Sequence, residues 1–375
     1  MGNRETIVFS SNTSFNLYNF RLHLMRAFKN KGYKVIAVAP EDGEYDKLLK
    51  NEFEFYPVKH LNRKGTNPFQ DIRLLLEYFN LFKKIKSDLV INFTIKPNIY
   101  GSISAGLLGI PSISVITGLG YAFIKETWLT KVIKVLYKIA FKFNKAVIFQ
   151  NIDDMETLKN LCERKNYLIK SSGIDTEFFN PNRCVKKKNE GFSFLFVGRL
   201  LKDKGIYELI EAFKKLKNEY LETELIIIGD LDEGNPNSLK KEELEQWVEE
   251  ELITWYGFQE DVRPFYCMAD CVVLPSYREG VPRVLLEAMA MEKPIITTDA
   301  PGCRNICIDE VNGFLIKPKD VESLYLAMKK AVEMGQEGLR KMGKKGREIV
   351  EERYEISKIV GEYVKIIENV LNKKM

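Results

Sequence analysis

A chain of 375 residues is longer than a single hydrophobic core usually serves, and it predicts two domains of comparable size. Its 45% hydrophobic and 29% charged residues describe a globular protein and exclude a disordered one. A net charge of +5 is too modest to imply a nucleic-acid partner.

At the amino end, Met1-Gly2-Asn3-Arg4-Glu5-Thr6 has the spacing of a myristoylation signal. Strand residues begin at once, at Thr6–Ser10, without an apolar leader, so neither a lipid anchor nor a secretory signal is expected. A polar loop, a helix ending at Gly32 and a strand at Lys34–Ala39 then open a doubly wound α/β domain, whose ligands gather at the carboxyl ends of strands. The first loop, Ser11-Asn12-Thr13-Ser14, has no G-x-G-x-x-G, and the chain has no Walker P-loop, which argues against a dehydrogenase and an NTPase. Small polar side chains and helix-start amides in that loop could still meet a phosphate. Tyr18, Asn19 and Arg21 are then substrate-contact candidates, with a plain helix-surface role as the alternative.

Phe53–Val58 reads as a strand, His60–Gly65 as a polar loop, Pro68–Lys86 as an amphipathic helix and Asp88–Phe93 as a buried strand. Lys96 is expected to be the only fixed charge at the end of that strand, placed to meet a diphosphate or a developing anion, or else to be a surface lysine. Tyr100–Ile124 is long and uncharged, but Pro111 and five glycines cut it into helix, strand and loop, so no transmembrane span is expected. The strand Ser112–Thr117 leads into Gly118-Leu119-Gly120, where glycines allow close backbone approach to a ligand. Along Trp128–Lys145, the residues Lys131, Lys134, Lys138, Lys142 and Lys145 step by three and four and form one stripe of a helix. Leu129, Val132, Ile133, Leu136, Ile139, Ala140 and Phe143 cover much of the rest. Such a helix can lie on an anionic leaflet, each lysine adding up to about 1 kcal/mol. A packed helix with a solvated lysine face is the alternative. Strand, helix and strand follow at 146–150, 153–161 and 167–170, and the polar run Asn182–Glu190 reads as a linker.

The second half opens with a strand, Phe192–Val197, and the loop Gly198–Gly205. Arg199 at the strand end and Lys204 near a helix start converge where a diphosphate would lie, Arg offering planar bidentate bonds and Lys a point charge. Strands at Glu224–Gly229 and Ile253–Tyr256 flank a helix at Leu239–Glu250. From Cys271 to Pro318 the pattern is strand, loop, helix (Val281–Met291) and strand (Pro294–Thr297), a βαβ unit. Glu279 falls in its loop and Glu287 on its helix, two turns or roughly 12 Å along, too far apart to serve one bond as acid and base. Each suits a different part of one extended ligand. From Val321 the chain reads as helical to its end. The six cysteines lack the close-set pairs of a zinc site, and buried reduced thiols are expected.

The ordered run Pro275-Ser276-x-x-Glu279-Gly280-x-Pro282-x-x-x-Leu286-Glu287-Ala288-Met289-Ala290, followed by Pro294-Ile295-Ile296-Thr297-Thr298 and Asn312-Gly313-Phe314-Leu315, resembles the signature of glycosyltransferase family 4. The resemblance implies the GT-B fold: two Rossmann-like parallel-sheet α/β domains with an interdomain cleft. Residues 1–175 would bind acceptor, completed by the last helix at about 356–375, and 176–355 would bind a nucleotide-sugar, by inheritance a UDP-sugar. A hexosyl or N-acetylhexosaminyl group would be moved with retention. Matching positions make Glu279 the donor-sugar contact, Glu287 the ribose contact, and Arg199 and Lys204 the diphosphate cations. Gly198, Val262, Gly280, Val281, Pro282, Arg283 and Val284 would complete the donor site. Lys96 would join Glu279 in catalysis, with Tyr18, Asn19, Arg21, Thr117 and Gly118 on the acceptor side. No D-x-D pair is expected to hold a metal, and no cofactor is implied. The run Ile116-Thr117-Gly118-Leu119-Gly120-Tyr121 resembles the polysaccharide and lipid-linked branch, which implies a lipid-linked, capsule or O-antigen type acceptor. Trp128 and the lysine stripe would then rest on the cytoplasmic face of an anionic membrane. Three departures stand out: Ile95 where relatives often have histidine, Glu292 where glycine is usual, and Asn305 where glutamate often stands. A nucleotide-sugar epimerase or phosphorylase on the same scaffold is the rival enzyme, and a membrane-binding scaffold the rival without catalysis.

Overall fold

The computed structural model describes residues 4–62, 67–120, 123–124, 126–163, 165–184 and 191–372. The chain divides into two compact units, Met1–Gly173 with Ile356–Met375, and Ile174–Glu355. The first three residues of the myristoylation-like motif, 63–65 of the polar loop, Tyr121 and 185–190 of the linker lie outside the described residues.

The first unit runs β1 (Thr6–Ser10), α1 (Ser14–Asn30), β2 (Lys34–Ala39), α2 (Tyr45–Lys50), β3 (Glu54–Pro57), α3 (Pro68–Ile85) and β4 (Leu89–Phe93). It continues with α4 (Ser102–Leu107), β5 (Ser112–Ile116), α5 (Trp128–Phe143), β6 (Asn144–Phe149), α6 (Ile152–Leu158) and β7 (Lys165–Leu168). The second unit runs β8 (Phe192–Val197), α7 (Ile206–Glu219), β9 (Thr223–Ile228), α8 (Lys241–Glu249), β10 (Thr254–Trp255) and α9 (Arg263–Met268). Then come β11 (Cys271–Leu274), α10 (Arg283–Ala290), β12 (Ile295–Thr298), β13 (Gly313–Ile316), α11 (Val321–Glu333) and α12 (Gly335–Arg353), before α13 (Ile356–Asn372) rejoins the first unit.

Both sheets are parallel, in the orders β3-β2-β1-β4-β5-β6-β7 and β10-β9-β8-β11-β12-β13. Apolar residues fill both faces of the inner strands, so helices must cover both. Ile7 and Phe9 of β1 pack with Leu17, Met25 and Phe28 of α1 and with Ile359 and Ile367 of α13. Val8, one residue out of phase, packs with Leu74, Tyr78 and Phe82 of α3. α13 is further tied by the Gln150 amide, which donates to Tyr363 Oη at 3.2 Å. Among the described residues no helix is long and apolar enough to cross a membrane.

Several expectations need correction. The basic helix stops at Phe143 because Asn144 turns extended and buries its amide, which donates to Ser102 and Ser112 at 2.9 Å each. Lys145 therefore sits on β6. From Val321 the chain is helical as expected, in three helices broken at Met334–Gly335, where Gly335 takes φ 72, and at Tyr354–Glu355. The cysteines are not all reduced: Cys184 and Cys267, 83 residues apart, form a disulfide, while Cys162, Cys271, Cys303 and Cys307 are free and buried. Linear spacing hid a pair that the fold brings together. The bond closes a long loop within the second unit, for which chain entropy allows up to about 4.5 kcal/mol. Reduction with dithiothreitol is expected to lower the thermal midpoint of the parent and to leave a Cys184→Ser/Cys267→Ser variant unchanged.

Candidate active site

The second unit gathers its charged groups at the carboxyl ends of β8, β9 and β11, where a doubly wound sheet offers backbone ends to a ligand. Lys204 leaves β8 on a short loop and reaches Glu279 of the β11–α10 loop, Nζ to Oε1 at 2.5 Å, both side chains largely buried. Two glycines make this approach possible. Gly205 (φ 74) lies where an added Cβ would stand 2.2 Å from the Pro275 carbonyl, and Gly302 (φ 83) where it would stand 2.4 Å from that of Glu279. Only glycine fits either position. The loop is also pinned by Tyr277 N–H donating to Asp203 O at 2.9 Å and by Glu279 N–H donating to Pro301 O at 3.0 Å.

Arg199 points to Asp232, Nη1 to Oδ2 at 2.5 Å. Asp232 is buried and also accepts from Asn235 Nδ2 at 3.0 Å. Here sequence reasoning missed a feature. Asp230-Leu231-Asp232 is a D-x-D run at the end of β9: Asp232 is buried, and Asp230, exposed to solvent, accepts from Phe258 N–H at 2.9 Å. It braces the β8 and β10 ends.

Glu287 is buried one turn into α10, because the helix starts at Arg283 and not at Val281. Glu279 through Pro282 are thus loop, and the two glutamates are not related by a helical rise. Glu287 accepts from Arg283 Nε at 2.8 Å, and Tyr266 Oη of α9 lies 3.1 Å from its other oxygen. Burial pushes its carboxyl up, and Arg283 pulls it back. Tyr266 carries no sequence signal for this role, since a tyrosine on a short helix reads as core. Pro282 caps α10 without a side-chain hydrogen bond. Gly198, Val262, Gly280, Val281 and Val284 are half-buried on this same strand-end face, and Pro282 is buried.

The first unit is less obliging to its candidates. The amides at the start of α1 are already engaged, Asn16 N–H by Thr13 Oγ1 and Phe15 N–H by Asp42 Oδ2, each at 3.1 Å, so the expected phosphate contact there is not open. Arg21 is 3% exposed with its guanidinium 4.5 Å from the centre of the Phe93 ring, a packing role. Asn19 donates to Phe15 O of its own helix, and Tyr18 packs against Tyr45. Thr117 and Gly118 are half-buried after β5, followed by Leu119 N–H bonded to Asp154 at 3.2 Å. Lys96 is not the only charge at its strand end, because Asp71 of α3 pairs with it at 2.7 Å.

On α5 only Thr130, Tyr137, Ala140 and Phe141 are buried. Val132 and Ile139 point outward with Trp128 (75% exposed) and Val135, between the exposed Lys131, Lys138 and Lys142. Lys134 pairs with Glu126 at 2.8 Å. On α3, Phe69, Ile72 and Leu76 are exposed as well.

Glu292 explains why glycine is usual at its position: its φ is 55, the left-handed region. Glu292→Gly is expected to raise stability by about 0.5–1 kcal/mol, read as a higher urea midpoint with unchanged m-value.

The family model described as Glycosyl transferases group 1 matches residues 180–349, and that described as Glycosyl transferase 4-like matches 6–151. The N,N'-diacetylbacillosaminyl-diphospho-undecaprenol alpha-1,3-N-acetylgalactosaminyltransferase of Campylobacter jejuni is 29% identical over 85% of this chain and 87% of its own. The capsular polysaccharide biosynthesis glycosyltransferase CapM of Staphylococcus aureus is 27% identical over 92% and 93%. Among solved structures, HepE of Anabaena in complex with UDP-glucose superposes with a TM-score of 0.80 at 19% identity, covering 97% and 99% of the two chains. The fold and the two family models define the class, a glycosyltransferase of GT-B architecture. Within it, the chain belongs to the group 1 glycosyltransferases, the family it resembles from Pro275 onward.

Proposed function

We propose that this enzyme transfers a hexosyl or N-acetylhexosaminyl group, with retention, from a nucleotide-sugar to a lipid-linked or polysaccharide glycan acceptor, without a metal cofactor. The observation that carries the reading is the Lys204–Glu279 pair beside the start of α10, which has no side-chain cap. As the glycosidic bond breaks, negative charge grows on the diphosphate and positive charge on the sugar. Lys204, Arg199 and the first amides of α10 stabilise the former, and Glu279 positions the sugar. No side chain is assigned as nucleophile, so the acceptor attacks from the leaving-group side and a donor phosphate oxygen takes its proton.

The relatives' names support the acceptor class: one acts on a diphospho-undecaprenol-linked sugar, another serves capsular polysaccharide. A UDP donor is supported by the Escherichia coli UDP-Gal:alpha-D-GlcNAc-diphosphoundecaprenol alpha-1,3-galactosyltransferase, 27% identical over 80% of each chain. The outward apolar ridge of α5 among its lysines supports a place on the anionic inner face of the cytoplasmic membrane. The Cys184–Cys267 bond is unusual for a reducing compartment.

A thermal-shift screen of nucleoside diphosphates and their sugars, with EDTA throughout, tests the reading, since ligands that bind the folded state raise its midpoint. UDP or a UDP-sugar is expected to shift it, and no shift with any nucleotide would overturn the proposal. Consumption of the donor without acceptor, yielding an epimer, would reassign the chemistry.

A further inference from the structure

At the end of β4 the backbone passes through Thr94 with φ 71, a conformation rare for any side chain and costly for a β-branched one. A π-helical turn follows at once, Pro97–Gly101, a geometry that is uncommon and clusters at functional sites. Both irregularities are held from beneath. Asn98 Nδ2 donates to Val115 O at 2.9 Å, and its Oδ1 accepts from Val115 N–H at 3.2 Å, bolting the turn to β5. The result is that Lys96 and Tyr100 converge on Asp71 of α3: Lys96 Nζ reaches Oδ1 at 2.7 Å and Tyr100 Oη donates to Oδ2 at 2.9 Å. The Lys96 and Asp71 side chains are 15% and 16% exposed, ordered yet reachable.

Stability is a poor reason to keep this arrangement. A largely buried ion pair gains little after desolvation, and the strained residue adds a cost of its own. Position supplies a better one. The chain leaves β1 toward β2 and β3 on one side and returns to β4 on the other, so the ends of β1 and β4 flank the switch point where doubly wound sheets take ligands.

We infer that Asp71, Lys96 and Tyr100 form a subsite for the hydroxyl groups of the acceptor sugar, an inference that rests on the glycosyl-transfer reading above. The ammonium retains two N–H donors and each carboxylate oxygen a further lone pair, so two neighbouring hydroxyls can each donate to Asp71 while accepting from Lys96. Paired with Asp71, Lys96 sets donors beside acceptors, the mixed pattern that a neutral sugar's hydroxyls need. Asp71 is then an acceptor contact that also positions Lys96.

The test compares the full-length parent with Asp71→Asn, Lys96→Met and Tyr100→Phe. Acceptor kinetics use decyl-diphospho-N-acetylglucosamine with UDP-sugars, and calorimetry with UDP reports the second unit. Loss of a charged contact predicts that Asp71→Asn and Lys96→Met lower kcat/KM for acceptor by about thirtyfold, mainly through KM, and Tyr100→Phe by less. UDP affinity is expected to stay within about twofold of the parent. An acceptor KM within threefold of the parent in both charge variants, or an equal loss of UDP affinity, overturns the subsite and leaves the transferase reading standing. A parent that neither binds UDP nor transfers sugar overturns the reading beneath it.

Discussion

Lys204→Ala is expected to lower kcat/KM by about a hundredfold or more, and Glu279→Ala to lower kcat comparably, yet the two should part company in UDP binding. Removing one preorganised group aimed at developing charge costs about 2.7–4 kcal/mol. Lys204→Ala adds a second loss, because it leaves the largely buried Glu279 carboxylate with no cation where the diphosphate must sit. UDP should therefore bind markedly more weakly to this variant. Glu279→Ala frees the ammonium for the phosphates, so UDP should bind as tightly as to the parent or more so while turnover collapses. Because the groups touch, the double variant should be far less damaged than the product of the single effects. Calorimetry with UDP beside steady-state kinetics reads both quantities. Single variants that stay within threefold of the parent in kcat/KM would remove these residues from the mechanism.

The contrast between the two halves shows what a sequence can disclose. The strands were readable because inner strands of a parallel sheet are unbroken apolar runs, and Thr6–Ser10, Lys34–Ala39 and Phe192–Val197 coincide with β1, β2 and β8. Some elements of few residues were not: α2, α9 and β13 are too short for a period to declare itself. The donor-side groups lie in one ordered local run plus one loop, so a resemblance to the family could propose roles for them. What could not be read was partnership across sequence distance. Arg199 meets Asp232, Tyr266 meets Glu287 and Asp71 meets Lys96, each pair brought together by sheet order. The first loop misled for a local reason: Thr13 and Asp42 cap the amides that looked open. Arg21 misled because a guanidinium over an aromatic ring can be core.

Reversing Lys131, Lys138 and Lys142 to glutamate should abolish binding to anionic vesicles. Each lysine near such a surface adds about 1 kcal/mol, so losing three weakens partition by about 150-fold before any repulsion from the new carboxylates. The fold divides the lysines of this segment into unequal sets, which makes the prediction specific. Lys131, Lys138 and Lys142 flank the outward Trp128, Val132, Val135 and Ile139. Lys134 is paired with Glu126, and Lys145 stands on β6, so neutralising either should matter least. Trp128→Ala should weaken binding at every salt concentration, since it removes apolar insertion. The lysine effect should fade as salt rises, because the screening length falls to about 3 Å at 1 M. Flotation with phosphatidylserine-containing and purely zwitterionic vesicles separates the two contributions. A triple reversal that floats with anionic vesicles as the parent does would leave α5 an ordinary solvated helix.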